Sequence, residues 1–422
     1  MPGALARGGG RPRLAFATVA FLMFLTIMAS NAVSPMYVLY QQKFHFSALT
    51  LTEVYSVYAA AVIVSLLTVG PLSDVIGRRP VLAPALVLLG VSAVLFACAR
   101  GTAWLFAARA VQGLANGAIA GAATAALVEL EPSQDRRRAS YVNTVMFITG
   151  AACGPLLFGA LVQYLPAPFV LPFGVEGVLI AVALIGVRAL PETVSHEGPR
   201  RWQIQRPSVP RPLLGPFVVA VLALCVAWGI GGLFAALSPS IDRDLLHVDS
   251  HAAAGLVLFV FSGIGGLSQL SLRRWPPRRS MTVGTAGVAA GMALVYAGLT
   301  STDVPIFAVG TLIAGAGSGI AFMGSLALVN HVAPPARRAE VVSAWNLVGY
   351  VGLSAPVIGV GLLTGVTGLR DATGIFTATV IVMAIASIVA VAVSPRQPLA
   401  RLSEEALIEL GLDPAEAARV TL

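Results

Sequence analysis

The feature that most constrains this chain is the recurrence of apolar stretches about twenty residues long, from the N-terminal region almost to the end. Each is long enough to cross a hydrocarbon core as a helix, and a helix satisfies its own backbone donors and acceptors there. A transmembrane barrel would need strict alternation of apolar and polar residues, which the sequence lacks. Of its 422 residues, 57% are hydrophobic and 11% charged. Most water-soluble folds need about 25% charged residues, so the deficit excludes them. The expectation is an all-α membrane protein with twelve transmembrane helices.

Charge sets the expected orientation. One side of the spans collects Arg7, Arg11 and Arg13, then Arg78 and Arg79, Arg136 to Arg138, the arginines between Arg188 and Arg211, Arg278 and Arg279, and Arg337 and Arg338. The opposite loops hold only Lys43, Arg100, Arg243 and Arg370. The positive-inside rule then puts both termini in the cytoplasm of a cell bounded by this membrane, and the first stretch reads as an uncleaved span. The net charge of +8 therefore implies a lipid surface, with no call for nucleic acid. Cys98, Cys153 and Cys225 lie in apolar runs without metal-ligand spacing, so no disulfide, metal or other cofactor is expected.

The spans are expected at about 15 to 39, 54 to 70, 81 to 99, 103 to 130, 140 to 164 and 170 to 188, then 213 to 236, 251 to 271, 281 to 299, 305 to 331, 341 to 367 and 374 to 394. Four segments follow: a six-helix bundle over 1–190, a polar linker over 191–212, a second bundle over 213–395, and a tail over 396–422 with a short helix from Ser403 to Val420. The halves echo each other at an offset of about 200 residues, where Arg78 and Arg79 meet Arg278 and Arg279, and Pro155 meets Pro356. Parallel repeats of this kind imply pseudo-two-fold symmetry and a binding site between the bundles.

After the second span the chain reads Gly70-Pro71-Leu72-Ser73-Asp74-Val75-Ile76-Gly77-Arg78-Arg79-Pro80-Val81-Leu82. This resembles the signature loop of the major facilitator superfamily, G-x-L-x-D-x-x-G-R-[RK]-x-x-L, in the expected place. Gly70 suits close helix approach, Gly77 suits a turn at positive φ, and Asp74 can pair with Arg78. The resemblance implies a latch between the halves, joined by an acid at the end of span four, where Glu129 stands. The matching loop, Leu270 to Arg279, keeps the arginines but has Arg274 in the place of Asp74. Topology alone would explain the arginines, though not the fixed glycines and aspartate.

Span four carries Arg109-Ala110-Val111-Gln112-Gly113-Leu114-Ala115-Asn116-Gly117, similar to the superfamily's R-x-x-x-G-x-x-x-G motif. Arg109, Gln112 and Asn116 share one helical face, which is expected to look into a polar cavity. Arg109 lies about 9 Å into the span at ~1.5 Å per residue, either as a substrate or proton-coupling group or snorkelling to the outer interface. In span five, Gly150, Gly154, Pro155 and Gly159 resemble a partial antiporter motif, G-P-x-x-G-G. Phe158 replaces one glycine and Tyr141 stands where an upstream one is usual, and generic small-residue packing explains the pattern equally well.

Further pocket candidates are Ser30, Asn31, Ser34 and Tyr37 in span one, and Trp345, Asn346 and Tyr350 in span eleven. Glu176 is the intramembrane carboxylate best placed to carry a coupling proton, or it is an interfacial structural residue. Thr50 and Glu53 match a T-x-x-E capping box. Family resemblance implies a monomeric secondary transporter in the plasma membrane, with proton-coupled export of a small organic or drug-like molecule as first expectation. Uptake of a sugar, organic acid or other metabolite is the alternative, and a non-transporting receptor on the same scaffold is the alternative of another class. His45, His196, His247, His251 and His331 are scattered and no phosphate-binding loop or nucleophile elbow occurs, so no enzyme is expected.

Overall fold

A computed structural model describes residues 11–193, 202–248, 250–335 and 337–395. Among the described residues there are fourteen α-helices, two short 3₁₀ turns and no strand. They are α1 (Arg11–Ala32), α2 (Tyr37–Phe44), α3 (Ala48–Thr68), α4 (Ser73–Ile76), α5 (Arg78–Ala97), α6 (Thr102–Glu129), α7 (Arg136–Tyr164), α8 (Leu171–Arg188), α9 (Leu214–Asp244), α10 (His251–Ser271), α11 (Pro277–Ser301), α12 (Val304–Val332), α13 (Arg338–Thr367) and α14 (Leu369–Val393). Among the described residues, twelve helical stretches are long and apolar enough to cross a membrane, the first running from Pro12 to Phe44 through α1, a 3₁₀ turn and α2. The expected tail helix from Ser403 to Val420 lies outside the described residues, as do residues 194–201 of the expected linker.

Three local expectations need correction. Span one is broken, because Pro35 has no amide hydrogen to continue an α ladder and its ring crowds the preceding turn. The chain passes through a buried 3₁₀ turn, Ser34–Met36, before resuming as α2. The capping box at Thr50 and Glu53 does not form either. Ser47 is the cap: its Oγ accepts the Thr50 amide at 3.2 Å and its carbonyl accepts the Leu51 amide at 3.1 Å, while Glu53 is exposed. Span seven continues past Ser238-Pro239-Ser240 as far as Asp244, with Pro239 retained inside the helix.

The chain divides into two compact units. The first comprises the described parts of Met1–Phe46, Val54–Gln205 and Ser250–Phe259; the second comprises those of Ser47–Glu53, Arg206–Asp249 and Val260–Leu422. In the first, α1 packs on α6 and α7, and α5 packs on α6 and α8, around a core that includes Leu22, Leu25, Leu82, Leu86 and Ile119. In the second, α9 packs on α12, α13 and α14, with Leu224, Met281, Leu328, Val341 and Trp345 in the core. Lipid tails are as apolar as leucine, so burial alone drives little association of helices in a bilayer. Close dispersion contact between small residues carries it instead. Gly113 and Gly117 of α6 illustrate this, since a Cβ at either would lie 2.5 to 2.7 Å from backbone or side-chain atoms of α3.

Candidate functional site

Within the first unit, α6 turns its polar stripe toward α1 and α3. Arg109 is fully buried. Its Nε and Nη2 both donate to the Tyr37 hydroxyl, the former at 2.7 Å, and Nη1 donates to the Ser30 carbonyl at 3.0 Å and to Gln112 Oε1 at 2.5 Å. Four rings surround the guanidinium carbon, with centroids at 5.3 Å for Tyr58, 5.4 Å for Tyr37, and 5.8 Å for Tyr55 and Phe96. Gln112 Nε2 donates to the Ala29 carbonyl at 3.1 Å. Asn116 Nδ2 donates to Ser30 Oγ and, at 3.1 Å, to the Tyr58 hydroxyl. The i, i+3, i+7 spacing therefore yields one polar cluster, packed and closed in this structure.

Arg109 does not snorkel. Among the described residues it forms no ion pair with a carboxylate, so hydroxyls, carbonyls and π faces solvate its charge. Glu176 lies in α8, within the apolar stretch Leu171–Arg188. It is buried, and its Oε2 has no hydrogen-bond partner. One turn earlier on α8, Phe173 stacks on Phe96 at 5.4 Å and meets Phe158 edge-on at 5.5 Å.

The other expected pocket residues divide. Ser30 and Tyr37 join the Arg109 cluster, whereas Asn31 donates back to the Ile27 carbonyl of its own helix at 3.0 Å and Ser34 Oγ is buried without a partner. In the second unit Trp345 Nε1 donates to Ser325 Oγ at 2.8 Å, and Trp228 gathers Trp345, Tyr350 and Phe322 at ring distances of 6.2, 5.1 and 6.0 Å. Asn346 is half-buried in α13. Along α7, Gly150 and Gly154 lie against the backbone of α1 at Phe24 and Met28, while Gly159 lies against His251 of α10. The helix runs through Pro155 without interruption.

A second cluster forms where α3, α5 and α6 reach the arginine-rich side. Arg78, whose side chain is 10% exposed, donates from Nη1 to Asp74 Oδ1 at 2.5 Å and Ser73 Oγ at 2.8 Å. It also grips Glu129 with two bonds, Nη2 to Oε1 at 2.8 Å and Nε to Oε2 at 3.3 Å. Gly77 adopts φ of +104°, a region that side chains disfavour, and Gly70 backs onto Gly121 of α6. Arg79 is exposed and uses only its amide here.

Sequence reasoning missed several members. Glu192 receives the amides of Arg78 at 2.8 Å and Arg79 at 3.2 Å, capping α5 from more than a hundred residues away, and Thr193 donates to Glu129 at 2.5 Å. A Cβ on Gly77 would stand 2.6 Å from the Glu192 carboxyl carbon. Nearby, Trp202 Nε1 and the Gln205 amide donate to the Thr68 and Leu67 carbonyls at the end of α3. Tyr55 and Tyr58 were visible as aromatics in span two but carried no motif. In the second unit Asp242 lies beyond the expected end of span seven at 236, yet it is buried in α9, with Ser238 Oγ on one carboxylate oxygen at 3.3 Å and the other oxygen unpartnered.

Comparison with known proteins bears on the fold. A profile described as Major Facilitator Superfamily matches residues 19–355 and 272–419. An MFS-type transporter of Mycobacterium tuberculosis is 33% identical over 167 residues, which cover 38% of this chain and 22% of that protein. The chain thus matches about a fifth of the length of these first relatives. A class C tetracycline resistance protein of Escherichia coli is 30% identical over 240 residues, 54% of this chain and 58% of that protein. Among solved structures, a bacterial homologue of the human lysosomal transporter Spinster superposes with a TM-score of 0.75 at 11% identity, covering 91% of this chain and 98% of its own. A POT family transporter in complex with 5-aminolevulinic acid follows at 0.69 and 13% identity, with 90% and 95% coverage. At such identities these two structures speak for the fold alone.

Proposed function

The chain belongs to the major facilitator superfamily, and on that premise we propose that it is a secondary transporter exporting a small organic or drug-like molecule in exchange for protons. In this reading it lies in the plasma membrane with both termini in the cytoplasm, as the one-sided distribution of arginines favours. The observation that carries the proposal is Arg109, a charge held inside the first unit by Tyr37, Ser30 and Gln112, with the Glu176 carboxyl buried in the same unit. An arginine in that position is costly to bury, and such residues mark ion and substrate pathways by default.

Transport then proceeds by alternating access. Substrate exchanges contacts with the Arg109 cluster, and a proton taken up or released at Glu176 changes how strongly that cluster holds its charge. The Arg78 cluster sets the conformational equilibrium, because its bonds join separate elements and two of its acids are partly exposed. The likeness to a tetracycline resistance protein supports a drug-like substrate. Proteoliposomes holding the full chain test this. An imposed pH gradient should drive movement of tetracycline or a related polycyclic solute, and Glu176→Gln should uncouple it from the gradient while leaving solute exchange intact. Gradient-independent movement in the unaltered protein would exclude proton coupling.

A further inference from the structure

Outside both polar clusters, α5 and α8 leave a groove of about 560 Å³ on the first unit, lined by Ala83, Pro84, Val87, Leu88, Leu184 and Arg188. All but Arg188 are apolar, and Val87 and Leu88 are 51% and 40% exposed, so in a membrane span this slot faces lipid. Small Ala83 and ring-closed Pro84 open it, since neither projects a long side chain toward Leu184.

The groove has a charged mouth. Helix α5 starts, and α8 ends, on the arginine-rich side, so the slot occupies the leaflet nearest the loop at residues 70–79. Arg79 stands one turn beyond Ala83 on one wall, and Arg188 stands one turn beyond Leu184 on the other. Both are exposed, and neither forms an ion pair among the described residues. Glu192, the acid bound at this end of α5, directs its carboxylate to the Arg78 and Arg79 amides.

We propose that this groove binds one anionic phospholipid, with an acyl chain along the aliphatic slot and the phosphate between Arg188 and Arg79. A zwitterionic headgroup would bring its own ammonium ion to a mouth that already holds two cations, so the site selects net negative charge. The bound lipid sits one residue from Arg78, beside the contacts assigned to the latch. The assignment to the cytoplasmic leaflet rests on the orientation proposed above; binding itself depends on neither transport nor coupling.

Native mass spectrometry of the full chain, offered equal phosphatidylglycerol and phosphatidylcholine of identical acyl chains, tests the proposal. The unaltered protein should retain phosphatidylglycerol about tenfold in preference. Arg188→Gln should cut that preference to about threefold or less, and Ala83→Phe, which fills the slot, should lower retention of both lipids. A phosphatidylglycerol with a photoactivatable acyl chain should cross-link to peptides spanning residues 83–88 and 184–188. Equal retention of the two lipids, an unchanged preference in Arg188→Gln, or cross-links confined to other helices would overturn the assignment. Failure of solute transport in the same preparation would count against the proposed function and leave this result standing.

Discussion

The loop at residues 70–79 and its counterpart at 270–279 carry the same pair of arginines and use them in opposite ways. In the first, Gly77 turns at positive φ and Arg78 meets Asp74, Glu129 and Ser73, while Glu192 caps the following helix. In the second, Pro277 occupies the glycine position, and Arg278 donates to the Ser394 and Ala392 carbonyls at the end of α14, at 3.0 and 2.9 Å. Arg279 lies 4.0 Å over the Trp275 ring, and Arg274 stands where Asp74 would be. Carboxylates on separate elements can be released and remade, whereas carbonyls at a helix C-terminus form a fixed partner favoured by the helix dipole. One sequence pattern thus pairs its arginine with carboxylates in the first unit and with helix-end carbonyls in the second.

Substitutions should expose that asymmetry. The largest effect is expected from Arg78→Ala, which leaves Glu129 without its two-bonded partner; charged hydrogen bonds of this kind contribute about 1.5–3 kcal/mol, and thermal unfolding of the purified chain should show the loss. Arg278→Ala in the same assay should cost about 1 kcal/mol or less, because the carbonyls it leaves lie at a helix end. Gly77→Ala comes next, at about 1–3 kcal/mol for a side chain forced to positive φ, whereas Pro277→Ala should change stability by less than ~1 kcal/mol. Equal effects from the two would erase the distinction.

Glu192→Ala should cost about 1 kcal/mol through loss of the α5 cap, and Glu192→Gln should recover part of it because the amide oxygen still accepts. The smallest stability change, under ~1 kcal/mol, is expected from Asp74→Asn, since that side chain is 56% exposed. Its signature is kinetic: the maximal rate should fall more than apparent affinity, as for a group acting on the conformational equilibrium. Parallel losses in rate and affinity would place Asp74 in the substrate path instead.

Much of this was legible because the informative residues are close in sequence. Apolar length located the spans, the 70–82 pattern located Arg78 with Asp74, and helical spacing alone put Arg109, Gln112 and Asn116 on one face. What escaped depends on tertiary placement or local competition. Apolar length cannot register the break at Pro35, and Ser47 outcompetes Thr50 for the α3 cap because it stands one turn earlier. No local rule joins Glu192 to the start of α5, and apolar length ended span seven at 236, short of the helix that carries Asp242. Asn31, also expected in the pocket, donates to the Ile27 carbonyl of its own helix and not to the Arg109 cluster.

Under the proposed function, the Arg109 cluster couples solute to proton movement. The most direct measurement is internal pH in proteoliposomes of the unaltered chain and of Arg109→Ala, while a panel of polycyclic and other drug-like solutes is added without an imposed gradient. The account predicts solute-dependent proton movement that disappears in Arg109→Ala, with the variant still folded by circular dichroism. Proton movement of equal size in the variant, or none with any solute in the unaltered chain, would contradict it.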